Sequence, residues 1–144
     1  MNHTIRNLCL FLISVFVFVA CAPTYSPYIY DQTGEMKKQA IALMDKAESP
    51  YSKYSAKVEL LMSDIESLST QDKLRKNNKI KIKQWELLKD PEGHLLYGFF
   101  NKWQKDTTLN ETFIDLERKL VSESFDLMRE TEKQRLNNRA NIKY

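Results

Sequence analysis

The chain has 144 residues, 42% of them hydrophobic and 28% charged, which is enough for one domain with its own core. A net charge of +3 is too small to point to a polyanionic partner on its own, and three glycines with four prolines argue against a turn-rich β fold. Two cysteines exclude a disulfide-dense scaffold, and no internal repeat or long low-complexity tract is present.

The first element is the apolar run LCLFLISVFVFVAC, Leu8 to Cys21. One positive charge, Arg6, precedes it and the small Ala20 closes it, the layout of a secretory signal. A spanning helix needs roughly 20 apolar residues, more than the stretch from Leu8 to Ala20 supplies. An uncleaved anchor and plain secretion after Ala20 are the alternatives to a lipid anchor. The last four positions, Phe18-Val19-Ala20-Cys21, resemble the lipobox of bacterial lipoproteins, with Phe18 where that pattern usually has Leu. The resemblance covers residues 1–21 only. It implies cleavage between Ala20 and Cys21, a diacylglycerol on the Cys21 sulfur, and a palmitate-type acyl chain on the new amino group. It also implies a location: Ala22 is not the aspartate that commonly retains such proteins at the inner membrane. The periplasmic face of the outer membrane is therefore expected, or the cell membrane in a one-membrane bacterium. Cys9 would be discarded with the signal and Cys21 used by lipid, leaving no disulfide and a net charge of +2.

Residues 21–33 then read as a Pro/Tyr-rich tether. Pro23 and Pro27 fix φ and remove donors, so an extended segment reaching roughly 35 Å is expected. Tyr25, Tyr28 and Tyr30 suit either a membrane–water interface or contact with the domain. A helical domain is expected over 34–137. Met36, Ala40, Leu43 and Ala47 recur at helical steps, as do Tyr54, Val58, Leu61, Ile65 and Leu68. The phase passes through Pro50, which predicts one long helix from about Glu35 to Leu68, bent there; the rival is two helices, the second begun by Ser49 and Pro50.

The alternation in Lys79–Lys83 has no partner strand, so this segment is read as helix, with Ile82, Trp85 and Leu88 or Lys89 on one side. Asp90-Pro91-Glu92-Gly93 stops it as a turn. Leu96, Phe99, Phe100 and Trp103 mark a short aromatic helix, in which Gly98 signals a close backbone approach. Thr108 to Glu111 fits a capping box. A last helix to about Leu136 would bury Phe113, Leu116, Leu120 and Leu127 with Val121 and Met128 alongside, before a polar tail over 138–144. The expected fold class is all-α: a small antiparallel helical bundle of two long amphipathic helices plus two shorter ones, behind an extended N-terminal tether.

For chemistry the sequence offers little. His94 is the only histidine beyond the signal, and no metal-ligand, nucleophile-elbow or phosphate-loop motif occurs. The pairs Asp115/Glu117 and Glu130/Glu132 read as solvated helix faces. No enzyme activity, metal or cofactor is expected. The basic stretch Lys73, Arg75, Lys76, Lys79, Lys81 and Lys83 holds no acid. It is either a solvated face or a contact for anionic headgroups. Trp85, Tyr97, Phe99, Phe100 and Trp103 are core, or an apolar groove. The function expected is a lipid-anchored helical interaction, adaptor or inhibitor module working on an envelope protein, with no role for nucleic acid. A binding module for a lipid-like ligand is the alternative.

Overall fold

The computed structural model describes residues 24–140, with side chains through Asn137. The signal segment 1–20, the lipidation residue Cys21 and the tail residues 141–144 lie outside the described residues. Five helices form the bundle, and no strand occurs among the described residues. They are α1 (Pro27–Met44), α2 (Ser55–Lys73), α3 (Lys79–Leu88), α4 (Leu96–Asp106) and α5 (Glu111–Ala140), with a short 3-10 helix at Tyr51–Lys53. Helix α5 has 30 residues, a length of about 45 Å.

The expected extended tether is corrected here, because helix begins at Pro27. Proline's fixed φ and missing N–H are harmless at the first helical position. Ser26 is the N-cap, its hydroxyl accepting from the Ile29 N–H at 3.3 Å. Ile29 and Thr33 are buried, and the Tyr30 ring lies 4.2 Å beneath the Arg129 guanidinium. The domain therefore starts near residue 24 rather than 34.

The single bent helix is also replaced by two. Helix α1 ends at Met44, and α2 returns beside it, so that Tyr28 and Gln32 share a cleft with Ser67 and Gln71. The apolar phase crosses Pro50 because the connection itself packs on the core. Ala47 is fully buried, and its carbonyl accepts from the Leu109 N–H at 2.8 Å. The rings of Tyr51 and Tyr54 lie 5.3 and 5.8 Å from that of Trp103. Periodicity reported burial faithfully but not continuity of helix.

Helix α3 buries Trp85 and Leu88 as expected, with Lys81 in place of Ile82. Helix α4 buries all of Leu96, Phe99, Phe100 and Trp103. Helix α5 starts at Glu111, and its cap is Asn110, whose Oδ1 accepts from the Phe113 N–H at 2.9 Å; Thr108 is not the cap. The buried face of α5 is Ile114, Glu117, Val121, Phe125, Met128, Glu132 and Arg135. Leu116, Leu120 and Leu127, expected inside, are exposed. The start of α1, the end of α2, the start of α3 and the last turns of α5 meet at one end of the bundle. The Ala47–Tyr54 connection and α4 close the other.

Candidate functional site

The most distinctive chemistry lies where those four helix ends meet. Glu132 and Arg135 face inward one turn apart on α5, Asp72 sits on the last turn of α2, and Lys81 on the first turns of α3. Asp72, Lys81 and Glu132 are fully buried, Arg135 nearly so, and Arg75 retains only a small exposed edge. Charges taken out of water need partners, and these have them. Asp72 accepts from Arg75 Nη1 at 2.8 Å, from Trp85 Nε1 at 2.8 Å and from Asn78 Nδ2 at 2.9 Å, and Lys81 Nζ stands 3.5 Å away. Glu132 accepts from Arg75 Nη1 at 2.9 Å and Nη2 at 2.7 Å, a bidentate clamp. Lys81 Nζ also donates to the Met128 carbonyl at 3.3 Å, and Arg135 donates to Asn78 Oδ1.

The cluster holds three cations and two anions, a formal excess of one positive charge. Burial pushes the Asp72 carboxyl up, yet the Lys81 charge and the bonds from Trp85, Arg75 and Asn78 outweigh it and hold it below its ordinary value. Burial lowers Lys81, and the opposing pull of Asp72 and Glu132 does not fully restore it. For Arg75 burial is overcome by Glu132 and Asp72, so its affinity for the proton rises. Arg135 is lowered, by burial and by its like neighbour Arg75, despite Glu132, and its Nη1 has no hydrogen-bond partner.

The cluster also grips the N-terminal segment. The Ser26 N–H donates to Glu132 Oε1 at 2.7 Å, and Arg75 Nη2 donates to the Thr24 carbonyl. The chain entry is thus fixed at Thr24 to the α2–α3 loop and at Ser26 to α5, and Thr24 is three residues along the chain from Cys21. Beneath the α2–α3 loop, Asn78 is nearly fully buried and bonds both the Asp72 carboxylate and its backbone carbonyl. One set of buried charges therefore locks three segments: the chain entry, the α2–α3 loop and the end of α5.

Of the six basic candidates, Arg75 and Lys81 turn inward and are removed from the surface-contact set; Lys73, Lys76, Lys79 and Lys83 are exposed. Glu132 and Glu117, read as solvated, are buried, whereas Asp115 and Glu130 are exposed as expected. Residues two apart on a helix point to different faces, so each pair splits. The Glu117 carboxyl is raised by burial, partly offset by His94, and one of its oxygens has no partner. Glu117, His94, Gly93 and Lys102 line an open cleft of about 400 Å³. Among the described residues no group of three or more His, Cys, Asp or Glu side chains is placed to hold a metal.

The aromatic set is core. Trp85, Phe99, Phe100 and Trp103 are buried, and each indole N–H is satisfied, Trp103 Nε1 by the Ser49 carbonyl at 2.9 Å. Tyr97 is half-buried and donates its hydroxyl to the Met62 carbonyl at 2.9 Å; burial pushes its pKa up to about 12. The buried partners Asp72, Asn78, Glu132 and Arg135 were missed by sequence reasoning. The available signal was the spacing of Val121, Phe125, Met128 and Glu132, which continues an apolar stripe into charged residues.

No helix among the described residues is long and apolar enough to cross a membrane. Comparison with known proteins returns no match, whether to a family model, a curated protein or a solved structure, so the functional reading rests on the residues themselves.

Proposed function

We propose that this protein is a lipid-anchored lipoprotein of the bacterial envelope that acts as a non-catalytic helical interaction module. The observation that carries the proposal is the seating of Thr24 and Ser26 on the buried charge cluster, immediately after the lipobox-like Phe18-Val19-Ala20-Cys21. A lipid on Cys21 would be joined to the bundle by a mount three residues long, with an anchored rather than freely swinging domain behind it. Localisation at the periplasmic face of the outer membrane follows from Ala22 by resemblance.

The surface available to a protein partner is the α3–α5 seam. Gln84 Nε2 on α3 donates to Thr131 Oγ1 on α5 at 3.0 Å. Leu87, one turn after Gln84, is 51% exposed and Leu127, one turn before Thr131, is 60% exposed, with Leu120 and Leu116 at helical spacing further back along α5. Leucines aligned at helical spacing and left in water are the side chains a partner helix would cover. A photo-reactive residue at Leu120 is expected to yield one recurrent protein adduct in intact cells, and one at exposed Lys57 on α2 none. Leu120→Asp/Leu127→Asp is expected to abolish a partner's copurification while changing stability by no more than about 0.5 kcal/mol. Equal labelling from both sites would contradict the adaptor reading.

A further inference from the structure

We propose that the α2–α3 loop is a membrane-docking tip, in which Leu74 enters the headgroup layer of an anionic bilayer and Lys73, Lys76 and Lys79 bind its phosphates. The inference rests on the lipid-anchor reading and adds to it a fixed orientation of the domain. Among the described residues Leu74 is the most exposed of the large hydrophobic side chains, at 83%, and it stands between exposed Lys73 and Lys76. Ile80, 67% exposed, follows Lys79 on the first turn of α3. A large apolar residue ringed by lysines is ill-suited to water and well-suited to the boundary between headgroups and acyl chains.

Charge favours the same partner. No acidic residue lies between Asp72 and Glu86, and Asp72 is buried and paired. The cluster beneath carries its own formal positive excess, three cations against two anions. Position completes the case. Arg75, next to Leu74, holds the Thr24 carbonyl, and three residues of chain reach at most about 11 Å. A lipidated Cys21 therefore keeps Thr24, and the Arg75 guanidinium bound to it, within about one Debye length of the lipid surface, where attraction to the loop's lysines is only partly screened. Asn77, with φ of 53°, turns the loop tightly, and Asn78 locks it from below, so the tip is presented in one shape.

The test uses the lipidated full-length product reconstituted in phosphatidylglycerol vesicles, and in neutral phosphatidylcholine vesicles for comparison. An environment-sensitive fluorophore is placed through Leu74→Cys or, at the far end, Lys53→Cys; both positions are exposed. In anionic vesicles the label at 74 is expected to be quenched by headgroup-proximal spin-labelled lipid, and the label at 53 not. Each lysine near an anionic surface is worth about a fivefold factor, so Lys73→Glu/Lys76→Glu/Lys79→Glu should weaken the docking equilibrium by about a hundredfold or more. Equal quenching at 74 and 53 in protein that still floats with neutral vesicles overturns the docking tip and leaves the anchor standing. Quenching at 74 that survives the triple reversal also overturns it. Protein that does not float with neutral vesicles overturns the anchor, and the docking tip with it.

Discussion

Asp72→Ala is expected to lower the free energy of unfolding by about 3–5 kcal/mol, the cost of breaking one side of a buried charge network. The substitution removes the acceptor of Trp85 Nε1 and one of the two acceptors of both Arg75 Nη1 and Asn78 Nδ2, and leaves Lys81 buried with its nearest anion gone. Small domains are stable by only about 5–15 kcal/mol, so much of the population would be unfolded in mild denaturant. Urea unfolding followed by tryptophan fluorescence reads this directly, since Trp85 belongs to the network. Asp72→Ala/Lys81→Met should recover part of the loss, because the uncompensated charge is then gone. The pH dependence has a defined sign. The folded state holds the Asp72 carboxyl below its ordinary value. Its contribution is present above that value and is lost as pH falls through the lower, folded one. The Ala variant lacks this acid-side loss. A change under about 1 kcal/mol at neutral pH would mean that the network contributes little to folding.

Gly98→Ala is expected to cost about 3 kcal/mol or more, through overpacking that no side chain can relieve. A Cβ at Gly98 would lie 1.8 Å from the Gly93 carbonyl oxygen and 2.8 Å from its carbon. Both atoms are backbone of the Asp90–Gly93 turn, which is itself closed by the Gly93 N–H bonding the Asp90 carbonyl at 3.2 Å. Relief requires moving either the turn or α4, whose buried face is Leu96, Phe99, Phe100 and Trp103. Gly34→Ala is the matched control. There the new Cβ meets the end of the Arg129 side chain at 3.2 Å, which can shift. Alanine is the better helix former by about 1 kcal/mol, so Gly34→Ala is expected to be neutral or stabilising. A Gly98→Ala variant as stable as Gly34→Ala would contradict the close approach.

Much of the fold was legible because apolar spacing reports burial. The stripes Met36–Ala47 and Val58–Leu68, the aromatic face of α4 and the close approach at Gly98 all follow from residue type and period. What periodicity could not supply was the difference between a bent helix and a hairpin of two, since Ala47, Tyr51 and Tyr54 keep phase by packing from a connection. Nor could it place charged residues in the core. Glu132 is as buried as Phe125 because Arg75 meets it from 57 residues away in the chain. Hydropathy assigns such a residue to water and gives the vacated face to Leu116, Leu120 and Leu127. The same blindness made Lys73–Lys83 look like one uniform basic stretch. Folding divides it into inward structural cations, Arg75 and Lys81, and an outward set around Leu74. Pro27 was misread for a simpler reason: Ser26-Pro27 is a helix start as readily as part of an extended tether.

The measurement closest to the central claim is fatty-acid labelling of the wild-type chain and of Cys21→Ser in bacterial cells, followed by mass analysis of the product. A lipid anchor predicts label on the wild type, cleavage before Cys21, and an unlabelled, uncleaved precursor for Cys21→Ser. Label retained by Cys21→Ser, or a wild-type product that is cut after Ala20 and carries no lipid, would contradict it.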